Sequence, residues 1–236
     1  MNLQAHYDTM RETAFRKLVR GEAELDALFD SAHDTRRGIT LVARPPAHIK
    51  AIIEDILADF QQIEPSQYYY PASDIHLTIL SIISCYQGFT LDVIDPELYK
   101  QAINTILQHT PPFHIRFAGL TASPGGIIVQ GFPEDDGLHN LRNQVRRYFQ
   151  ASGLQQSIYQ RYSIQTAHST VVRFRNELTD TARLLNVLER YEHYNIGSFE
   201  VDALELVYND WYQRQENTIL LGTYPLASGH APQMGA

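Results

Sequence analysis

One order of elements occurs twice in this chain and limits its fold more than any other feature. "GITLVARPP" (38–46) and "GIIVQGFPE" (126–134) are short apolar strands that end in proline and lead into a helix. Each is followed by an apolar strand carrying His-x-Thr, "DIHLTILSII" (74–83) and "TAHSTVVRF" (166–174), and then by another helix. The spacing is similar, 38 residues from Gly38 to His76 and 42 from Gly126 to His168. Short strands alternating with amphipathic helices predict an α+β class. The repetition predicts a bilobal duplicated fold, with two antiparallel sheets, helices on their outer faces and a cleft between them.

The remaining segments fill in this plan. "AHIKAIIEDILADFQQIE" (47–64) presents Ile49, Ile52, Ile53, Ile56, Leu57 and Phe60 on one helical side. "DPELYKQAINTILQHTPP" (95–112) opens with Pro96 in its first turn and stops at Pro111 and Pro112. "FHIRFAGLTASPGGIIVQGFPE" (113–134) reads as a hairpin turning at Pro124, Gly125 and Gly126. "DDGLHNLRNQVRRYFQASG" (135–153) and "LTDTARLLNVLERYEHYN" (178–195) are helices, and "GSFEVDALELVYND" and "NTILLGTYPL" are expected to close the chain as an antiparallel pair. Residues 1–33 read as polar helical material turning Met10, Phe15, Leu18, Leu25, Leu28 and Phe29 inward. The expected organisation is a helical arm over 1–37, one bilobal unit over 38–226 and a disordered tail over 227–236. No linker rich in Gly, Ser or Pro divides the unit.

Bulk properties narrow the function classes. The 236 residues carry a formal charge of −8, against the basic face that affinity for long nucleic acids requires. A small phosphorylated ligand, held by a few local groups, remains compatible with that balance. Cys85 is the single cysteine, which removes an intrachain disulfide and any zinc-site spacing, and its neighbours predict an inert thiol. No 18-residue apolar run predicts a membrane span. The first residues lack a secretory apolar core, so the expected setting is cytoplasmic.

The two His-x-Thr strands carry the chemistry. Residues i and i+2 of a strand share a face, roughly 6.5–7 Å apart. His76 therefore projects with Thr78, and His168 with Thr170, while Ile75, Leu77 and Val171 pack beneath and Ser169 points away. Facing lobes would bring two imidazoles and two hydroxyls to one centre. A neutral imidazole can take a proton from a nucleophile while a protonated one donates to the departing oxygen. Hydroxyls can bind the non-bridging phosphoryl oxygens, where charge rests in the transition state. A third match, "HDTR" (33–36), lies in a charged segment without the apolar context.

Paired His-x-Thr-apolar motifs on strands of a duplicated unit resemble the two-histidine (2H) phosphoesterase superfamily, which includes 2'-5' RNA ligase-like proteins and cyclic nucleotide phosphodiesterases. The resemblance spans roughly 38–226, with the motifs 92 residues apart. It implies His76 and His168 as the acid–base pair and Thr78 and Thr170 as phosphate binders, with no metal and no cofactor. It implies a phosphoric diester hydrolase acting on a 2',3'-cyclic phosphate or a 2'-5' phosphodiester of a nucleotide or short RNA end. The alternatives are ligation in the same site and a non-catalytic nucleotide- or phosphate-binding module.

A lone histidine on an apolar strand is ordinarily a satisfied core residue; the second motif in register argues against that for His76. Tyr86, Arg161, Tyr162, Tyr208 and Trp211 are candidate contacts to a base or ribose. So are "QYYYP" (67–71), as a cleft wall, and the rest of "YNDWYQRQ" (208–215). Strict alternation turns Arg173 to the face opposite Thr170, unless a bulge intervenes. The near symmetry of the motifs leaves open which histidine is the base.

Overall fold

The computed structural model describes residues 2–158 and 166–227. Nine strands and five α-helices follow one another among them, beginning with α1 (Leu3–Val19), β1 (Arg36–Ala43), α2 (Ala47–Gln61), the two-residue β2 (Tyr68–Tyr69) and β3 (Leu77–Gln87). Next come α3 (Pro96–Leu107), the hairpin of β4 (Phe113–Ser123) and β5 (Gly126–Pro133), α4 (Gly137–Ser152) and β6 (Ser169–Arg173). The chain closes with α5 (Thr181–Arg190), β7 (Asn195–Val201), β8 (Ala203–Asp210) and β9 (Ile219–Pro225).

The strands form two wholly antiparallel sheets, β3-β1-β8-β9 and β2-β6-β5-β4-β7. In each, the His-x-Thr strand lies beside the proline-ended strand of its own repeat, β3 beside β1 and β6 beside β5. The expected α+β fold with two antiparallel sheets is thus present. The helices, however, exchange between repeats. α2 follows β1 in sequence but packs with β7 and α5, whereas α4 follows β5 and packs on β3. α3 lies against α4 and β9, and α5 against β4. Of the α2 face read from the sequence, Ile49, Ile53, Ile56, Leu57 and Phe60 are buried and Ile52 is half-buried; on α4 the buried positions are Leu138, Leu141, Val145 and Phe149. They join one continuous core.

Two expectations are corrected. The antiparallel pairing of "GSFEVDALELVYND" with "NTILLGTYPL" holds only for its second half: β7 pairs with β4, and after Asp202 the chain passes to the other sheet, where β8 pairs with β1 and β9. Both pieces alternate in the same style, so the pattern cannot mark the crossing. In the arm, the helix stops at Val19 and Gly21 takes φ +72°, a left-handed turn suited to glycine. Leu25 and Leu28 beyond it are exposed, and Phe29 is buried between Tyr68 and Tyr212, with ring centroids 4.4 and 4.7 Å away. Isolated leucines among Glu and Asp form no stripe to bury. The deep positions of α1 are Tyr7, Ala14 and Leu18, one face that packs on β4. The tail from residue 228 lies outside the described residues.

Candidate active site

Both motif strands depart from strict alternation at the same place. In β3, Leu80 pairs with Leu41 and Thr78 with Val42, leaving Ile79 as an extra residue. In β6, Val172 pairs with Ile127 and Thr170 with Ile128, leaving Val171 extra. Each is a β-bulge immediately after the motif threonine, and each advances the next cleft-facing position from i+2 to i+3. Ser81 therefore follows Thr78 on the cleft face, and Arg173 follows Thr170. A cleft lined by His76, Thr78, Ser81, Ser84, His168, Thr170 and Arg173 results, with Thr40, Tyr70, Cys85, Asn209, Trp211 and Gln213 completing its wall. The two motifs thus share one pocket, a small one of about 100 Å³.

Arg173 corrects strict alternation. The legible signal was the doublet of apolar residues between polar ones, Thr78-Ile79-Leu80-Ser81 and Thr170-Val171-Val172-Arg173. Two adjacent buried residues on a half-exposed strand require a bulge. Its consequence breaks the pseudo-symmetry: a hydroxyl at position 81 stands where the other repeat has a guanidinium. Arg173 is half-buried, with Nε donating to Tyr70 Oη at 3.4 Å. Among the described residues, no carboxylate lines this pocket. In a chain of net charge −8, the described lining of this cleft has one cation and no acid, which favours an anion.

The residue two before each histidine holds its ring. His76 Nδ1 lies 2.7 Å from the Asp74 carbonyl. A carbonyl only accepts, so Nδ1 carries the hydrogen and Nε2 keeps a lone pair. His168 Nδ1 lies 2.6 Å from Thr166 Oγ1. Burial pushes His76 down to about 3, the Arg44 guanidinium adding to the effect while the Asp74 bond opposes it. Burial likewise pushes His168 down to about 4, helped by Arg142 and Arg173. Both imidazoles are therefore neutral at pH 7 without a ligand.

A buried guanidinium ties the two motifs together. Arg142 of α4 donates to the carbonyls of Ile79 at 2.8 Å, Thr78 at 2.9 Å and Thr166 at 2.9 Å. One side chain thus spans from the bulge of β3 to the segment that orients His168. On the far side of that segment, Gly131 comes so close that a Cβ would strike the Ala167 carbonyl, and Tyr7 Oη both donates to and accepts from the Gly131 backbone.

Of the other candidates, Trp211 lines the pocket. Tyr86 and Tyr208 do not: both rings lie against Phe89, and their hydroxyls meet Gln155 and the Phe89 carbonyl respectively. Arg161 and Tyr162 lie outside the described residues. The "QYYYP" stretch supplies Tyr70 to this pocket, and Tyr68 and Tyr69 to a neighbouring cavity of about 870 Å³. Cys85 is buried in the pocket wall. Asn209 and Gln213 were not singled out within the 208–215 stretch. Among the described residues, no three His, Cys, Asp or Glu side chains group as metal ligands, and no helix is long and apolar enough to cross a membrane.

No protein-family model matches the chain, and no curated protein does. Solved structures do share its fold. TT0787 of Thermus thermophilus is 14% identical with a TM-score of 0.59, the alignment covering 83% of this chain and 100% of that one. E. coli LigT complexed with 3'-AMP is 15% identical with a TM-score of 0.54, over 82% of this chain and 99% of LigT. A protein described as a phosphoesterase is 17% identical with a TM-score of 0.53, over 82% and 99%. The likeness implied by the paired motifs therefore holds at the level of the fold.

Proposed function

We propose that this protein is a metal-independent phosphodiesterase, opening a 2',3'-cyclic phosphate or cleaving a 2'-5' phosphodiester of a nucleotide or short RNA end. The observation that carries the reading is the shared pocket, with two imidazoles, two threonine hydroxyls and one guanidinium around a space whose described lining has no carboxylate. LigT, whose fold the chain shares, was crystallised with 3'-AMP, which supports a nucleotide as the ligand.

The two histidines divide the work by their hydrogen bonds. His76, with Nδ1–H fixed on the Asp74 carbonyl, offers the Nε2 lone pair and acts as general base toward water. His168 donates to the departing sugar oxygen. Thr78, Thr170 and Arg173 receive the non-bridging oxygens, whose charge they stabilise as the pentavalent state forms. Both rings are neutral in the free protein, so His168 takes up its proton with the anionic substrate. A phosphodiester anion between the rings favours the charged form.

The test is turnover of nucleoside 2',3'-cyclic phosphates in the presence of EDTA. Alanine at His76 or His168 is expected to lower kcat by roughly 10²–10⁴-fold each. His168→Ala should lose far less on an ester with a 4-nitrophenyl leaving group, which needs no proton, whereas His76→Ala should lose as much on both. Turnover that survives both single variants would sink the assignment.

A further inference from the structure

The loop after β8 holds a non-glycine residue in a left-handed backbone conformation. Among the described residues Gln213 alone of the non-glycines has a positive φ, +62°, where a Cβ is crowded. The loop is built around Asp210, which is fully buried. Its Oδ1 accepts from the Tyr212 and Arg214 amides at 3.0 and 3.1 Å, and its Oδ2 from Arg214 Nε at 2.7 Å and Asn217 Nδ2 at 3.0 Å. The turn closes with the Gln213 amide donating to the Asp210 carbonyl at 3.3 Å. It sends Gln213 into the two-histidine pocket, while Arg214 and Gln215 line the neighbouring larger cavity.

Gln213 is only 5% exposed, yet its Oε1 has no hydrogen-bond partner, and neither has Oδ1 of Asn209, 2% exposed in the same pocket. For Asn209 the orientation is fixed, since Nδ2 donates to the Asp210 carbonyl at 2.7 Å. Buried polar atoms are normally paired, and strained backbone persists where the surroundings hold it for a purpose. Two orphaned acceptors beside an anion pocket lack a donor that a phosphate ester cannot supply through its own oxygens.

We propose that Gln213, with Asn209 in the same pocket wall, accepts a hydrogen bond from the free ribose hydroxyl vicinal to the phosphate, the 3'-hydroxyl of a 2'-5' phosphodiester or the 2'-hydroxyl of a 3'-phosphate, and so selects ribose phosphates over deoxyribose or simple alkyl phosphates. This rests on the nucleotide reading above and narrows its substrate class to the 2'-5' phosphodiester, since a 2',3'-cyclic phosphate has both hydroxyls esterified and offers this donor only after it is opened. The left-handed turn positions the acceptor, and glycine would fill that turn with less strain but no acceptor.

Calorimetric titration with 3'-AMP, 2'-deoxy-3'-AMP and inorganic phosphate separates the possibilities. The wild-type protein is expected to bind 3'-AMP roughly 3–10-fold more tightly than the deoxy ligand. Gln213→Met should bind both equally. Gln213→Gly should do the same while melting at an equal or higher temperature, because glycine accepts the turn. A wild-type protein that binds both nucleotides alike, or a Gln213→Gly protein that keeps the preference, would overturn this assignment and leave the two-histidine reading intact. Equal weakening of all three ligands in Gln213→Met would also overturn it, placing the amide on phosphate. Absence of binding by either nucleotide and by phosphate would defeat both readings.

Discussion

His76 and His168 are neutral at a cost that appears in the pH dependence of stability. Their folded values, about 3 and about 4, lie below the ordinary 6.5 of the unfolded chain. Between those limits the unfolded state binds protons that the folded state does not, so stability rises with pH. The full stability is present above about pH 6.5 and is lost as pH falls toward 4, by up to about 1.4 kcal/mol per pH unit for each ring. Urea unfolding across pH 4–7 should show that slope, and His76→Gln with His168→Gln should flatten it. An unchanged slope in the double variant would mean that the rings are not held neutral. At the same scale, Arg173 is the cation among the described residues of the pocket lining, and Arg173→Gln should lower kcat/KM by roughly 10²–10³-fold. A loss under about threefold, well short of that range, would remove it from the proposed phosphate site.

The motif strands behave as elements because of what is inserted in them and what clamps them. The bulges at Ile79 and Val171 set Ser81 and Arg173 on the cleft face. Arg142 then fixes the register between repeats through three carbonyls. Hydrogen bonds from a charged group are worth more than neutral ones, so Arg142→Met should destabilise the fold by about 3 kcal/mol. It should also depress kcat more than it raises KM, since the motifs lose alignment rather than ligand contacts. A well-folded variant with unchanged kcat would show that the clamp is dispensable. The motif histidines and threonines were legible because i and i+2 share a face on any strand. Arg173 was misassigned because alternation was carried through a bulge. Asn209 and Gln213 lie in the candidate 208–215 stretch but carry no signal of their own there, since their orphaned acceptors exist only where the loop folds around Asp210.

At the scale of the whole molecule, the repeats are interlocked rather than merely side by side. α2 and α4 each cover the sheet of the other repeat, and β8 returns from the second half to sit beside β1. The arm adds a further layer: Tyr7, Ala14 and Leu18 are buried against the β4 sheet, and Tyr7 bonds to Gly131. Deleting residues 2–20 should cost roughly 4 kcal/mol from lost apolar burial alone, seen as an earlier urea midpoint and new binding of a hydrophobic dye. An unchanged midpoint would mean that the arm is a passive attachment. The sequence by itself determined the class of the fold, most element boundaries and the two His-x-Thr pairs, because period, caps and proline stops act over a few neighbouring residues. Only the tertiary structure decided which sheet each late strand joins and which buried polar atoms are left without a hydrogen-bond partner. Those outcomes depend on register and burial between residues far apart in the chain, such as Arg44 and Glu205, 161 positions apart and in contact at 3.0 Å. No local pattern encodes them.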